Sequence, residues 1–582
     1  MRVLLTAINA KYIHSNLAVY SLQAYAAPYR DRIETAEFTI NQQQDYILQR
    51  IYEKKPDILA FSCYIWNVET VLSLVRDIAL VLPETKIWLG GPEVSYNGEE
   101  LLKTYPEITG IMRGEGEQSF LSLLEYYLEN KGEPEEIGGI LFRRKDGSIG
   151  QGRPEWPALL PLDVIPFPYQ DTEDFAHRII YYESSRGCPF ACSYCLSSLD
   201  RSVRLRSIPL VLKELQFFLD HKVPQVKFVD RTFNCSHSHA MAVWSYIREH
   251  DNGVTNFHFE IEGDLLREDE LELLGQMRPG LVQLEIGVQS VNPRTLAAVN
   301  RKADFEKIAR ACRKLKAAGR QHLHLDLIAG LPWEDFDSFR ESFRQVYALG
   351  AHELQLGFLK VLKGSGIERE ADSLEMVRRH RPPYEVLYTG WMSFADLLRL
   401  KGVEEMLEVY YNSGQFSVTV AALEKQFANP FDLYDGLAEA CREKGAFDVS
   451  LSRMQRLNML RDFIRKEEKL PAAVGDQLLL QDWYLRENAK TRPEWAPDLT
   501  AWKKEISGFY RSQDMRNRYL PDYGPYDWKQ TMHMTHLEPF LGERGKPEAW
   551  FLFDYRRRDP ITGNAGMIRI AGNMLNSRNI GK

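Results

Sequence analysis

Cysteine is scarce in this chain of 582 residues, which contains seven. So few thiols exclude a disulfide-stapled scaffold and point to a reducing compartment. Long hydrophobic runs are also missing: no stretch approaches the about 18 consecutive apolar residues of a membrane-spanning helix. The opening MRVLLTAINAKYIHS has a short apolar run but no small-residue cleavage site after it. A cytoplasmic protein with no membrane partner is expected. Positive charge is not in excess either. Lys and Arg number 73 against 81 Asp and Glu, a formal net charge of −8, so nucleic acid is not expected as a partner, because nonspecific binding to a polyanion needs a basic field. Internal repeats and low-complexity segments are not evident. What remains is the composition of a globular protein, 44% hydrophobic and 26% charged, with length for about three domains.

Three cysteines fall together. Cys188, Cys192 and Cys195 stand at C-x3-C-x2-C spacing in Ser184-Ser185-Arg186-Gly187-Cys188-Pro189-Phe190-Ala191-Cys192-Ser193-Tyr194-Cys195, directly after an apolar run at 179–182 that reads as a strand. Thiolates so close on a loop leaving a strand can converge on one metal centre, for which zinc and iron–sulfur clusters are the usual occupants. A structural zinc wants four closed ligands, and this stretch supplies three with no His nearby. A cubane held by three thiolates leaves one iron without a protein ligand, open to substrate or cofactor.

This run resembles the cluster loop of the radical S-adenosylmethionine (radical SAM) superfamily, including the aromatic Tyr194 before the last cysteine. The resemblance implies that Cys188, Cys192 and Cys195 hold a [4Fe-4S] cluster whose fourth iron is chelated by the amino and carboxylate groups of SAM. It further implies that one electron from the reduced cluster cleaves SAM to methionine and a 5′-deoxyadenosyl radical. An external one-electron donor such as flavodoxin or ferredoxin is implied as a partner. The protein's share of such chemistry is to set the potential and exclude water and oxygen.

Upstream, apolar runs at 3–8, 35–40, 58–62, 87–89 and 108–112 alternate with helical patterns such as 17–26. That alternation predicts a doubly wound parallel sheet over residues 1–136, with ligands at the carboxyl ends of its strands. The loops there read Asn9-Ala10, Ser62-Cys63-Tyr64, Gly90-Gly91-Pro92-Glu93 and Arg113-Gly114-Glu115-Gly116-Glu117. Glycines at such points let a backbone approach a flat or phosphate-bearing ligand, and they also serve ordinary tight turns. Standing before the cluster loop, the arrangement is similar to the Rossmann-like cobalamin-binding domain of one large radical SAM class. By that resemblance Asn9, Ser62, Tyr64, Gly90, Gly91, Pro92, Glu93, Gly114 and Glu115 would bind cobalamin. There is one departure. Many cobalamin enzymes carry Asp-x-His-x-x-Gly after the first strand, and Tyr12-Ile13-His14-Ser15-Asn16-Leu17 lacks both the Asp and the Gly. Without an orienting carboxylate, His14 is expected at the surface or behind the site rather than on cobalt. Cys63 reads as a buried small hydrophobe.

Residues 137–176 read as a hairpin (140–143 and 148–151, with Asp146-Gly147 at the turn) and a linker marked by Pro154, Pro157, Pro161, Pro166 and Pro168. From 177 to 370, strand signals at 179–182, 225–229, 257–261, 281–288, 323–328 and 353–361 alternate with helices such as 211–221 and 305–318. They predict a partial (β/α)6 TIM-type barrel with reacting groups at the strand ends. The polar residues there are Asp230, Glu260, Glu262, Glu285, Gln289, Ser290 and Asp326. By resemblance to the superfamily, the segment 230–234 meets the SAM amino group, Glu285, Gln289 and Ser290 the ribose and carboxylate, and Asp326 with the backbone at Val361-Leu362 the adenine. Tyr194 and Glu260 complete the expected SAM-binding set. From the residues alone, single acids at strand ends also cap helices, whereas Glu285 and Gln289 share an inward face by their alternation. Arg204 and Arg206 either pair with a carboxylate or make a solvated approach to a helix.

Residues 371–582 show helical patterns at 395–409, 418–444 and 448–469, then aromatic clusters, the sequence Met532-His533-Met534-Thr535-His536, and a strand signal at 550–554 running into Tyr555-Arg556-Arg557-Arg558. The His pair is read as surface rather than metal-binding, and the basic run as a solvated edge or an anion contact. A mainly helical region is expected, similar to the uncharacterised tail of some cobalamin-linked radical SAM proteins, which names no reaction. The resemblance as a whole implies a cobalamin-dependent radical SAM enzyme methylating an unactivated carbon of a small molecule, modified nucleoside or peptide. A ring-forming or rearranging enzyme and a non-catalytic cobalamin or iron–sulfur sensor are the alternatives. No catalytic residue is assigned.

Overall fold

The first strand, β1 (Val3–Asn9), is buried along its whole length, as a middle strand of a parallel sheet covered on both faces must be. Around it run β2 (Ile33–Thr39), β3 (Ile58–Ser62), β4 (Lys86–Gly90) and β5 (Gly110–Met112) in the order β2-β1-β3-β4-β5, all parallel. The helices α1 (Leu17–Tyr25), α2 (Gln44–Lys54), α3 (Val68–Val81), α4 (Gly98–Thr104) and α5 (Glu117–Glu129) alternate with these strands. One face of the sheet packs Leu59 and Phe61 against Val71 and Leu74, and the other packs Leu5 and Trp88 against Phe120. The expected hairpin is present as β6 (Ile140–Arg143) and β7 (Ile149–Gln151), turning at Gly147 with φ +85°. It pairs antiparallel onto β5 and brings the sheet to seven strands.

The structure, a computed structural model, describes residues 1–153, 159–175, 177–542 and 545–572. Pro154 and Pro157 of the expected linker lie outside the described residues. A second sheet begins with β8 (Ile180–Tyr182), followed by a short ladder of β9 (Ser185–Arg186) and β10 (Arg204–Leu205). It continues with β11 (Gln225–Phe228), β12 (Asn256–Ile261), β13 (Val282–Gln289), β14 (His322–Ala329) and β15 (Glu353–Phe358). These six strands neighbour one another in chain order, and β8, β11, β12 and β13 pair in parallel. This is the partial (β/α)6 arrangement expected from sequence. Along β13 burial alternates strictly. Val282, Leu284, Ile286 and Val288 are buried, while Gln283, Glu285, Gly287 and Gln289 share the other, half-buried face. A parallel sheet buried on both faces would read as an unbroken apolar run, so this face is not sealed by apolar packing.

Compact packing divides the chain into two units. One comprises Met1–Leu323, Ile328–Asp335 and Phe358–Ser393, and the other comprises His324–Leu327, Phe336–Gly357 and the chain from Phe394 onward. Among the described residues no helix is long and apolar enough to cross a membrane.

In the second unit the single helix expected over 418–444 is corrected to two, Ser417–Leu423 and Pro430–Glu443. Pro430 has no N–H to continue a helix and restricts the residue before it. Asn429 then caps the new helix, its side chain accepting from the Phe431 N–H at 2.9 Å. The expected strand at 550–554 belongs to a three-stranded antiparallel sheet of Thr535–Leu541, Pro547–Arg558 and Ala565–Ala571. The sheet closes over a core containing Tyr510 and Tyr523 from the aromatic clusters and Trp550 from the expected strand. His536 Nε2 lies 2.8 Å from Glu538, and its ring stacks on Tyr484 at 3.6 Å, so this histidine packs within the fold. Arg556 lies over the rings of Tyr523 and Tyr526, and Arg557 pairs with Asp522.

Asp482 is fully buried in this unit and accepts from the Val418 and Thr419 N–H groups at 2.9 and 2.8 Å. Burial pushes its carboxyl up to about 7 from 3.8. Folding therefore takes up a proton between those values. The resulting stabilisation is fully present below the unfolded pKa and is lost as pH rises through the folded one. In Asp482→Asn the fall in melting temperature between pH 5 and pH 8 is expected to be shallower than in the wild type, as measured by thermal melts across that range.

Candidate cofactor site at the cluster loop

The loop bearing the three cysteines leaves β9 and returns as β10, which pair antiparallel with Arg204 opposite Arg186 and Leu205 opposite Ser185. Gly187, at φ +90°, has the Ser202 carbonyl where a Cβ would stand, so only glycine lets the loop close there. Backbone bonds hold it further. The Cys188 N–H donates to the Asp200 carbonyl at 3.1 Å, the Ser193 N–H to Val299 at 2.9 Å, and the Ile367 N–H to Ser193 at 2.8 Å. All three thiols are free; Cys188 and Cys192 are buried and Cys195 is half-buried.

Asp230, at the end of β11, is fully buried beneath this loop. One oxygen accepts from the Ser184 N–H at 2.8 Å, and the other from the Ser184 and Ser185 hydroxyls at 2.7 and 2.6 Å. Burial pushes its carboxyl up to about 6. Both oxygens thus bind the base of the cluster loop. Asn234 exchanges two hydrogen bonds with the backbone of Glu262, each 2.9 Å.

Arg301 was not singled out in the sequence, although its guanidinium lies against one of the thiols. Its Nη1 lies 3.8 Å from Cys192 Sγ, and its Nη2 donates to both Glu262 oxygens at 3.0 Å and to the Gly287 carbonyl. Burial pushes the Cys192 thiol up, and Arg301 acts against that shift. Burial likewise pushes Glu262 up to about 7 against the pull of Arg301. The only local signal for Arg301 was its place just after the helix Pro293–Ala298, too common a position to read. Cys188 Sγ lies 3.5 Å from the Thr232 hydroxyl.

The other expected SAM residues divide by depth. Gln289, at the last position of β13, has φ +70° and leaves its buried Oε1 without a partner among the described residues. Ser193 Oγ in the cluster loop is likewise buried without one. Ser290 donates to Glu334 at 2.6 Å. Glu260 and Glu285 sit lower on the inward face, where Lys227 Nζ lies 3.9 Å from Glu260 and 3.2 Å from Glu285, and His258 Nε2 is 2.9 Å from Glu285. The Leu362 N–H donates to the Lys360 carbonyl at 3.1 Å, and the Val361 N–H to Tyr384 at 3.0 Å. In the second unit, Asp326 pairs with His324 at 3.0 Å.

Because β1 to β5 are parallel, the loops after β1, β3, β4 and β5 emerge at one edge of the first sheet. Asn9 is buried and donates to Glu37 at 2.9 Å and to the His14 carbonyl at 3.1 Å. The Ser62 carbonyl accepts from Asn67, whose Oδ1 accepts the Tyr64 N–H at 2.8 Å. Tyr64 stacks flat on Trp66, ring centroids 4.5 Å apart, and Trp66 remains 42% exposed. Gly90 accepts from the Cys63 N–H at 2.7 Å, Gly91 has φ +108° against the Cys63 backbone, and Pro92 is exposed. Buried Glu93 pairs with Lys363 at 3.0 Å and accepts from Tyr384. After Gly114 (φ +74°), Glu115 and Glu117 meet Arg186 and Arg204. Arg204 thus pairs with a carboxylate, and Arg206 does too, at 2.5 Å from Glu214, which resolves the alternative left open by the sequence. His14 Nδ1 lies 2.6 Å from the Tyr181 hydroxyl. Cys63 is fully buried, and its thiol is pushed up by burial.

Among the described residues no three His, Cys, Asp or Glu side chains are gathered closely enough to hold a metal ion as they stand. The fit of the loop to a cluster rests on its donor set: three unbridged thiols, with a guanidinium and a hydroxyl against two of the sulfurs. Two buried oxygens, on Gln289 and Ser193, lack partners among the described residues. The first-sheet edge fits a flat ligand through Trp66, exposed and stacked on Tyr64, and through its positive-φ glycines.

Arg301 and Glu262 are both buried, so removing one partner strands the other. Arg301→Met is expected to cost about 3–5 kcal/mol, and Arg301→Met with Glu262→Met markedly less. Chemical unfolding of the cluster-free chain measures the difference.

Residues 3–124 match the model of the B12 binding domain, residues 182–346 that of the radical SAM superfamily, and residues 372–547 that of a protein family of unknown function (DUF4080). The cobalamin-dependent radical SAM methyltransferase TokK of Streptomyces tokunonensis is 24% identical over 327 residues, 51% of this chain and 46% of that protein. The anaerobic magnesium-protoporphyrin IX monomethyl ester cyclase of Rubrivivax gelatinosus is 25% identical over 333 residues, 55% of this chain and 59% of that protein. The chain spans about half the length of the curated relatives it matches. In fold it is similar to the cobalamin-dependent S-adenosylmethionine radical enzyme OxsB, solved with aqua-cobalamin and S-adenosylmethionine bound. That likeness has a TM-score of 0.58 and 15% identity, covering 82% of this chain and 78% of that one. Over residues 3–346 the chain is thus similar to radical SAM proteins in which a B12 binding domain precedes the radical SAM domain.

Proposed function

We propose that this protein is a cytoplasmic enzyme that binds a [4Fe-4S] cluster, SAM and cobalamin and methylates an unactivated carbon of a polar small molecule. Electrons would come from an external one-electron donor of the flavodoxin or ferredoxin kind. The observation that carries the reading is that the cluster loop and the Gly114-Glu115 loop of the B12 binding domain meet through ion pairs within one unit.

When bound, the cluster with SAM supplies one-electron cleavage of a sulfonium bond, and cobalamin supplies a methyl carrier. The chain's own residues bind, orient and exclude. Cys188, Cys192 and Cys195 are the cluster ligands, and Arg301 stabilises negative charge on Cys192. Gln289 Oε1 and Ser193 Oγ offer polar atoms to SAM, beside Tyr194, Ser290 and the backbone near Leu362. The face of Tyr64 and Trp66, with Ser62, Gly90, Gly91 and Gly114, receives the corrin. Asn9 and Glu93 hold the surrounding loops in place. The inward face carrying Lys227, His258, Glu260 and Glu285 supports a polar substrate over a hydrocarbon, since stripping water from these groups without replacing its hydrogen bonds is costly.

Anaerobic reconstitution tests the reading. About four irons per chain and one bound cobalamin are expected, with 5′-deoxyadenosine or S-adenosylhomocysteine formed from SAM under reduction. Cys192→Ala is expected to lose the cluster and both products while still binding cobalamin. A full cluster in that variant would refute the ligand assignment.

A further inference from the structure

Arg186, two residues before Cys188, is enclosed by three carboxylates from two parts of the chain. Its Nη1 lies 3.0 Å from Glu115, its Nη2 2.5 Å from Glu117 and its Nε 2.8 Å from Glu183. Glu117 is the first residue of α5, and Glu115 precedes it in the loop after β5, so both belong to the B12 binding domain. Glu183 and Arg186 belong to the radical SAM domain. Glu115 also pairs with Arg204, the cross-strand neighbour of Arg186, whose Nη1 donates to Glu115 at 3.2 Å and to the Leu160 carbonyl at 2.7 Å.

The geometry suits transmission between the two domains. Like charges directly opposite on a ladder repel, so the pairing of Arg186 with Arg204 depends on the carboxylate both of them share. The guanidinium of Arg186 is 16% exposed and Glu117 only 5%, where salt screens little. Burial works to raise the Glu117 carboxyl, but Arg186 outweighs it and holds the group below its usual range. All three donor nitrogens of Arg186 face a fixed carboxylate, a fork that an ammonium cannot reproduce.

We propose that Arg186 is a positioning residue that couples the two cofactor sites, so that occupation of the first sheet's edge by cobalamin tightens SAM binding at the cluster loop. Glu115, assigned to the corrin by resemblance, and Glu117 both act on the loop that bears the cluster. A ligand that orders the Gly114-Glu115 loop also orders Arg186, and through it the segment entering Cys188. The coupling is reciprocal, because two sites linked by one equilibrium must each shift the other by the same factor. The inference rests on the proposed cofactors, and its test separates the two.

The experiment titrates SAM into the anaerobically reconstituted full chain with and without hydroxocobalamin, by calorimetry, after counting iron and cobalt. In the wild type, cobalamin is expected to tighten SAM binding roughly five- to tenfold. In Glu117→Gln, with cluster and cobalamin still loaded, the factor is expected to fall below about twofold. Arg186→Lys, which keeps the charge but not the fork, should lie between. Should Glu117→Gln fail to retain its cluster, Glu115→Gln is scored by the same criterion. A wild type holding both cofactors with no effect of one on the other overturns the coupling, as does a factor unchanged in the variants. A wild type that binds no cluster or no cobalamin overturns the functional reading itself.

Discussion

Three thiols can serve one cluster only if the chain between them doubles back, and here charge holds the ends of that fold-back together. The β9–β10 ladder is two residues long on each side and sets Arg186 against Arg204. Left alone, two facing cations would push it apart. Glu115 accepts from both, and Glu117 and Glu183 complete the surroundings of Arg186. Gly187 then permits the close turn that brings the chain to Cys188. The cluster loop therefore depends on carboxylates supplied by a different sheet.

The same division of charge recurs around the first sheet. Glu37 receives Arg178 at 2.6 Å, Glu93 receives Lys363 at 3.0 Å, and Glu115 and Glu117 receive Arg186 and Arg204. In each case the acid comes from the B12 binding domain and the base from later in the chain. Buried ion pairs give up hydration that their attraction only partly returns, so they are weak evidence for stability. They discriminate strongly between arrangements, because any displacement leaves several charges buried and unpaired. Placement of the first sheet's edge loops is the property these pairs secure. His14 belongs to this framework as well, since its ring is engaged by Tyr181 and its carbonyl by Arg178.

The second sheet works by the opposite principle. Its outward residues are apolar and buried, and its inward residues are polar: Tyr181, Lys227, His258, Glu260 and Glu285. Towards the carboxyl ends of the strands the inward groups change character. Asp230 and Asn234 hold backbone and hydroxyls, whereas the buried Gln289 oxygen has no partner among the described residues. A sheet that buries one face and keeps the other polar provides both a rigid support and a polar chamber.

Much of this was legible in the residues. The strands of both sheets appear within three positions of their apolar runs, because burial on a sheet face imposes periods that a single chain displays. The C-x3-C-x2-C spacing marked the loop, and the parallel order placed the glycine-bearing loops at one edge. Where sequence reading failed, the missing information was long-range. Val418 and Lys444 seemed to bound one helix until Asn429-Pro430 divided it, a local break hidden within an apolar pattern. The partners of Glu115, Arg204 and Asp230 lie 89, 89 and 46 residues away, and no periodicity encodes such pairs. Arg301 was silent for the same reason: a charged residue after a helix is ordinary until folding sets it 3.8 Å from Cys192. Residue order is enough to specify which elements form and which donors are present, since propensity, patterning and ligand chemistry are local. Which charge each carboxylate meets is set by folding, because Coulomb energy depends on distance and burial, and those exist only once the chain has folded.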